Sequence, residues 1–202
     1  MSYTIDHRQL RNIVAALFSA TALLCAVPAL ASAACPTTSS STAFAKFGDS
    51  AAYSPLAGGS FESGAPGWTL SNSAVAAGNE SYNVGAGSHS LAIQPTGVAV
   101  SPTFCVNTAE PSFRFFLRQT SGSWGVLNVV LRWTDSSGTS HDTTVSSLQT
   151  GTSWQASPVL QLATTLPLTT STSAINAKLV FKPEPYGGAW AIDDVYVDPH
   201  SR

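Results

Sequence analysis

Three stretches of the chain alternate apolar and polar side chains with a period of two. In Phe113-Arg114-Phe115-Phe116-Leu117-Arg118, one side carries Phe113, Phe115 and Leu117 and the other carries Arg114, Phe116 and Arg118. Leu127, Val129, Leu131 and Trp133 form a second apolar row, opposite Val126, Asn128, Val130 and Arg132. Leu179 and Phe181 form a third, opposite Lys178, Val180 and Lys182. Side chains of a strand point alternately to its two faces, so each apolar row predicts the core side of a β-strand. Similar short runs, separated by turn residues, predict strands over 68–70, 91–95, 98–100, 112–119, 125–134, 141–146, 155–162, 174–182 and 189–197. Helical periodicity is absent beyond the N-terminal segment, which predicts an all-β sandwich or barrel with no helix outside that segment.

The first residues follow another pattern. Arg8 and Arg11 precede an apolar run from Ile13 to Leu30, and Ala31-Ser32-Ala33 places small residues where a signal peptidase cuts. Residues 1–33 are therefore expected to be a secretory signal, with a retained membrane anchor as the alternative, since about 18 apolar residues just suffice to span a bilayer. Residues 34–57, rich in Ser, Thr and Ala, predict an extended arm, and 58–202 a single β-sandwich domain. No later segment is apolar enough to span a membrane, so a secreted product is expected. Without Arg8, Arg11 and Asp6, seven basic and ten acidic residues remain, a balance that does not suggest nucleic acid. Cys25 falls inside the signal. Cys35 and Cys105 are expected to pair in an oxidising compartment, two free thiols being the alternative.

SFESGAPGW at 60–68 and WAIDDVYV at 190–197 resemble the opening and closing motifs of galactose-binding-like jelly rolls, the fold of many carbohydrate-binding modules. The segments GSHSLAI (87–93), CVNTAEPSFRFFLR (105–118) and LRWTDSSGTS (131–140), with Trp154 before a late strand, follow in a similar order. Residues 58–198 also look like a group of small secreted actinobacterial proteins. The resemblance implies a jelly-roll β-sandwich. It also implies a structural calcium ion between Glu62 and Asp193, the positions where such domains often bring two acidic residues together. Asp193, sharing a strand side with Val195 and Val197, would otherwise be a carboxylate facing a core, with Asp194 pointing out. The alternative is that Asp193 accepts backbone hydrogen bonds or pairs with a basic side chain.

Catalytic patterns are incomplete. Gly48-Asp49-Ser50 lacks the histidine spacing and oxyanion blocks of the esterases it resembles, His89, His141 and His200 show no metal-ligand spacing, and no pair of carboxylates is marked out. A sugar ring offers an apolar C–H face that stacks on an aromatic ring, which makes exposed aromatics the better signal. Trp68, Trp133 and Trp190 are expected in the core, whereas Trp124 and Tyr82 lie in turn-rich segments and are candidate contacts. Arg114, Phe116, Arg118 and Arg132, with Asn128, Lys178 and Lys182, form an outward row suited to an anionic polysaccharide, or else solvated and paired with acids. The leading expectation is a non-catalytic carbohydrate-binding module whose partner is a glycan. The alternatives are a structural or protein-interaction sandwich without a sugar site and a hydrolase of unrecognised type.

Overall fold

The computed structural model describes Cys35 and residues 39–107, 112–135, 137–162, 166 and 174–198. The expected signal segment and His200 lie outside the described residues. The strands are β1 (Ser54–Pro55), β2 (Thr69–Ala77), β3 (His89–Val100), β4 (Phe104–Val106), β5 (Ser112–Gln119), β6 (Leu127–Thr134), β7 (Ser140–Leu148), β8 (Gln155–Ala156), β9 (Leu160–Gln161), β10 (Ile175–Pro183) and β11 (Trp190–Val197). All are antiparallel, in the order β7-β6-β10-β3-β11-β5-β8; β1 pairs with β11, β2 with β3, β4 with β10 and β9 with β5. Among the described residues the one helical piece is the 3₁₀ turn Ala45–Phe47. None of their helices is long and apolar enough to cross a membrane.

Strand β3 makes this single ribbon into a sandwich. Its 91–93 part pairs with β11 and its 99–100 end with β10, so it serves both layers. The sequence pattern divided it at Pro95 into two strands. Strand β2 follows the bend through an irregularity between Ser71 and Ser73, where Asn72 takes φ 45°. Layer I then contains β11, β5, β8 and β9, and layer II contains β10, β6 and β7. The expected inner rows meet between them: Phe113, Phe115, Leu117, Leu127, Val129, Leu131, Leu179 and Phe181 are buried together, with Trp133 partly buried against them. Phe115 of layer I stands edge-on to Phe181 of layer II at 5.0 Å. Trp68 and Trp190 are also core.

The arm is not extended. Ser41 bridges to Tyr53 and β1 pairs with the end of β11, folding the segment back over the outer side of layer I. Phe44, Tyr53, Phe116, Trp154, Ala191 and Tyr196 form a second buried cluster there. Large apolar side chains punctuate a Ser/Thr/Ala stretch, and burying each contributes about 1.5–3 kcal/mol. Cys35 is bonded to Cys105 of β4 (S–S 2.01 Å), which ties the start of the arm to the β10 edge of layer II.

Candidate functional site

The expected outward row lies in different surroundings on the two layers. On layer I, Arg114, Phe116 and Arg118 do point away from the main core, but the expectation of solvent exposure is corrected: Arg114 is 6% and Phe116 0% exposed. The arm covers them. Phe44 stacks on Phe116 (5.4 Å), the Arg114 guanidinium lies 4.5 Å from the Phe44 ring centre, and Tyr82 packs against Phe47 and Phe116. Arg114 donates to Asp49 (2.9 Å) and to the Ser157 carbonyl (2.6 and 3.0 Å). The Tyr82 hydroxyl donates to the Trp154 carbonyl, and Arg118 lies over the Trp154 ring at 4.9 Å. Asp49 of the Gly-Asp-Ser stretch is thus a structural anchor, and Arg114, Phe116 and Tyr82 serve as packing for the arm.

On layer II the outer side is open. Register places Val100, Val180 and Val130 side by side across β3, β10 and β6, with Lys178 beside Arg132 on one flank and Lys182 beside Asn128 on the other. Within this row Val130 and Val180 are buried. Two open grooves flank this stripe. One, of about 390 Å³, is lined by Arg132, Lys178, Asn176, Thr103 and Ser140 among others. The second, of about 460 Å³, includes Asn128, Lys182, Thr96 and Glu184. Both volumes fall in the range of ligand clefts. Arg132 is held by a bidentate pair with Asp142 at 2.7 Å, whereas Lys178 and Lys182 pair with no carboxylate among the described residues. His141 of the neighbouring β7 is occupied by Asp135 (2.7 Å) and by a stack on Trp133 (4.3 Å).

A bulge corrects the reading of the closing motif. The register of β11 with β5 shifts between Asp193 and Tyr196, and Asp194 takes φ 45°. Asp193 therefore lies on the Phe116 side rather than with Val195, and Asp194 is turned inward at 4% exposure. Asp193 accepts from the N–H groups of Glu80 (2.9 Å) and Asp194 (2.8 Å), and Asp194 accepts from Gly85 (2.9 Å). Buried Glu80, which sequence reasoning missed, accepts from Val84 (2.6 Å) and Tyr82 (2.5 Å). Burial, with the charges of Asp194 and Glu80, pushes Asp193 up to about 8; burial, with Glu80 and Glu62, pushes Asp194 up to about 6. Glu62 caps the start of β3, accepting from the Ser88 (2.9 Å) and His89 (2.7 Å) N–H groups. The carboxylates suit a hard cation by donor type. Most of their oxygens already accept N–H bonds, however, and no three acidic, His or Cys side chains among the described residues converge as metal ligands.

Trp124 stands apart from all of these. It is 90% exposed, at the tip of the β5–β6 connection, and Tyr186, on the β10–β11 connection, is fully exposed. Both have left-handed backbones, φ 66° and 70°. Tyr186 was not singled out by its sequence because Pro185-Tyr186-Gly187 reads only as a turn.

No protein-family model matches the chain, and no curated protein matches it. Solved structures do. The CBM22-1 xylan-binding domain from Paenibacillus barcinonensis Xyn10C is 16% identical with a TM-score of 0.51, over 69% of this chain and 90% of that one. The fold is that of the carbohydrate-binding jelly rolls. The CBM22-1–GH10 modules of a Clostridium thermocellum endo-1,4-β-D-xylanase, complexed with xylohexaose, give 15% identity and a TM-score of 0.52 over 71% of this chain. The chain spans 28% of that longer protein.

Proposed function

We propose that this chain is a secreted, non-catalytic carbohydrate-binding module whose ligand lies across the outer side of layer II. The observation that carries the reading is the pair of open grooves on this side, one lined by Arg132, Trp133 and Lys178 and the other by Val98, Asn128, Lys182 and Pro185. The apolar lining, Trp133 in one groove and Val98 with Pro185 in the other, accepts the apolar face of a sugar ring, and the amide and ammonium groups beside it bond hydroxyls or uronate oxygens. Export is supported by the N-terminal apolar segment and by the disulfide. The structural neighbours described as xylan-binding and as complexed with xylohexaose make xylans the first polymers to try.

The test is calorimetry of the mature protein with neutral and acidic xylo-oligosaccharides. Binding is expected, with Lys178→Ala and Asn128→Ala each weakening it about tenfold, equivalent to about 1.4 kcal/mol. A wild-type protein that binds no glycan on a broad array removes this reading and leaves an interaction sandwich in its place. Calcium is a separate proposal: a cation beside Glu62 and the Asp193–Asp194 bulge would neutralise carboxylates that no basic side chain pairs with among the described residues, apart from the Glu62–His89 contact. A melting temperature identical in calcium and in chelator would remove it.

A further inference from the structure

We infer that the tips carrying Trp124 and Tyr186 form a second binding surface, one that rests against the packed chains of an insoluble polysaccharide. This inference rests on the carbohydrate-binding reading but not on the layer II grooves. Large aromatics elsewhere in the described chain are buried or partly covered; these two are 90% and 100% exposed. They are also not on loosely held loops. A Cβ on Gly125, the residue after Trp124, would fall 1.7 Å from the carbonyl oxygen of Gly187, the residue after Tyr186. A Cβ on Gly188 would fall 2.0 Å from the Ser121 carbonyl oxygen. The two backbones are therefore in contact, and only glycine allows it at either place.

Side chains fasten the contact. The buried Gln119 amide donates to the carbonyls of both loops, at Ser121 (3.0 Å) and Gly187 (3.2 Å). The Ser121 hydroxyl accepts from the Ala189 N–H (3.0 Å), and the Glu184 N–H donates to the Val126 carbonyl (2.9 Å). Each aromatic is then held in a left-handed conformation that a bulky side chain seldom adopts. An arrangement that fixes the backbone of two exposed aromatic residues on abutting loops preorganises their position, because little loop freedom remains to be lost on binding.

The chemistry of the surroundings selects the occupant. The residues beside the rings are Ser121, Gly122, Ser123, Gly125, Pro185 and Gly187, and Glu184 is the nearest charge along the chain. The single Lys182, which lines a groove with Glu184 and Pro185, is not the cluster of basic residues that would favour an anionic membrane. With no walls around them, the rings can touch a ligand on one side only. A single soluble chain would lose its freedom for few contacts, whereas chains already immobilised in a solid present many sugar faces at little further entropic cost. Together with a groove that holds one chain, such a contact raises retention on a polymer through effective concentration.

The experiment compares two readouts on the full mature protein: retention on insoluble xylan and cellulose, and calorimetry with soluble xylohexaose. Trp124→Ala and Tyr186→Ala are expected each to lower retention at least fivefold and together to abolish it, with xylohexaose binding unchanged within twofold. Trp124→Phe should keep most of the retention, and unchanged melting temperatures confirm that the variants fold. Retention equal to wild type in the double variant overturns the inference, whatever the soluble sugar does. So does binding to phosphatidylcholine or phosphatidylserine vesicles that depends on the two rings while polysaccharide retention does not. Ring-dependent retention without xylohexaose binding supports the inference and removes the groove reading instead.

Discussion

The two outer sides of this sandwich start from the same alternation and end in different environments. On layer I, Arg114, Phe116 and Arg118 point outward, yet Phe44 and Phe47 of the arm close over the first two and Arg118 lies over the Trp154 ring. On layer II, Arg132, Lys178 and Lys182 point outward and remain at a surface bordered by grooves. A strand's periodicity therefore says which side a residue takes; whether that side meets water depends on chain that is distant in sequence. One side became a second core fastened by an arginine, and the other kept the grooves and lysines that a ligand can use.

The sharpest way to break this comparison is to empty the covered side. Phe116→Ala should destabilise the protein by about 3–5 kcal/mol, since a fully buried phenylalanine leaves a cavity under the arm. Lys178→Ala should change stability by no more than about 0.5 kcal/mol. Urea unfolding measures both, and similar losses would erase the distinction between the two sides. Next in size is the disulfide. Replacing Cys35 and Cys105 by Ser should cost about 2–4 kcal/mol, because the bond closes a separation of 70 residues. Proteolysis at the arm before the sandwich is cleaved would show that the tether holds the cover in place.

Asp49 gives the covered side a pH signature. Burial raises its pKa, but hydrogen bonds from Tyr53, the Ala51 N–H and Arg114 outweigh burial and hold the carboxyl below its usual 3.8. A depressed pKa means that the folded state binds fewer protons than the unfolded one. Its stabilising contribution is thus present above about pH 3.8 and is lost as the pH falls through the folded value. Asp49→Ala should cost about 2 kcal/mol near neutrality by leaving Arg114 with one partner fewer. The variant should also lose less stability than the wild type as the pH falls below about 3.8, and an unchanged acid midpoint would count against the Arg114–Asp49 anchor.

These effects mark how much was legible beforehand. The inner rows, the absence of long helices and the jelly-roll resemblance follow from local pattern, which a period of two encodes directly. The burial of Arg114 and Phe116 was not legible, because it depends on an arm some 70 residues earlier whose low-complexity composition hides four large side chains among small ones. The Asp193 side was misread for a local reason: one extra residue in the β11 bulge reverses every face assignment across it. Trp124 was found by its turn context. Tyr186 was missed because the fit between the two loops depends on glycines at 125 and 188, which sequence spacing does not relate.

The smallest change in stability should come with an informative change in binding. Asp142 holds the Arg132 guanidinium through two 2.7 Å bonds and also lies within the field of Lys182. Both partners of the pair are more than 40% exposed, so solvent screens it and Asp142→Asn should alter stability by less than about 1 kcal/mol. On the open side, though, that carboxylate neutralises Arg132 and repels any uronate approaching Lys178 or Lys182. Its removal leaves three cations on one surface. Retention on glucuronate-bearing xylan should rise several-fold at low salt and fall back as salt is added, with neutral xylan unaffected. If acidic and neutral polymers respond alike, the cations are only the solvated margins of the sheet, and the ligand is read by the apolar lining of the grooves alone.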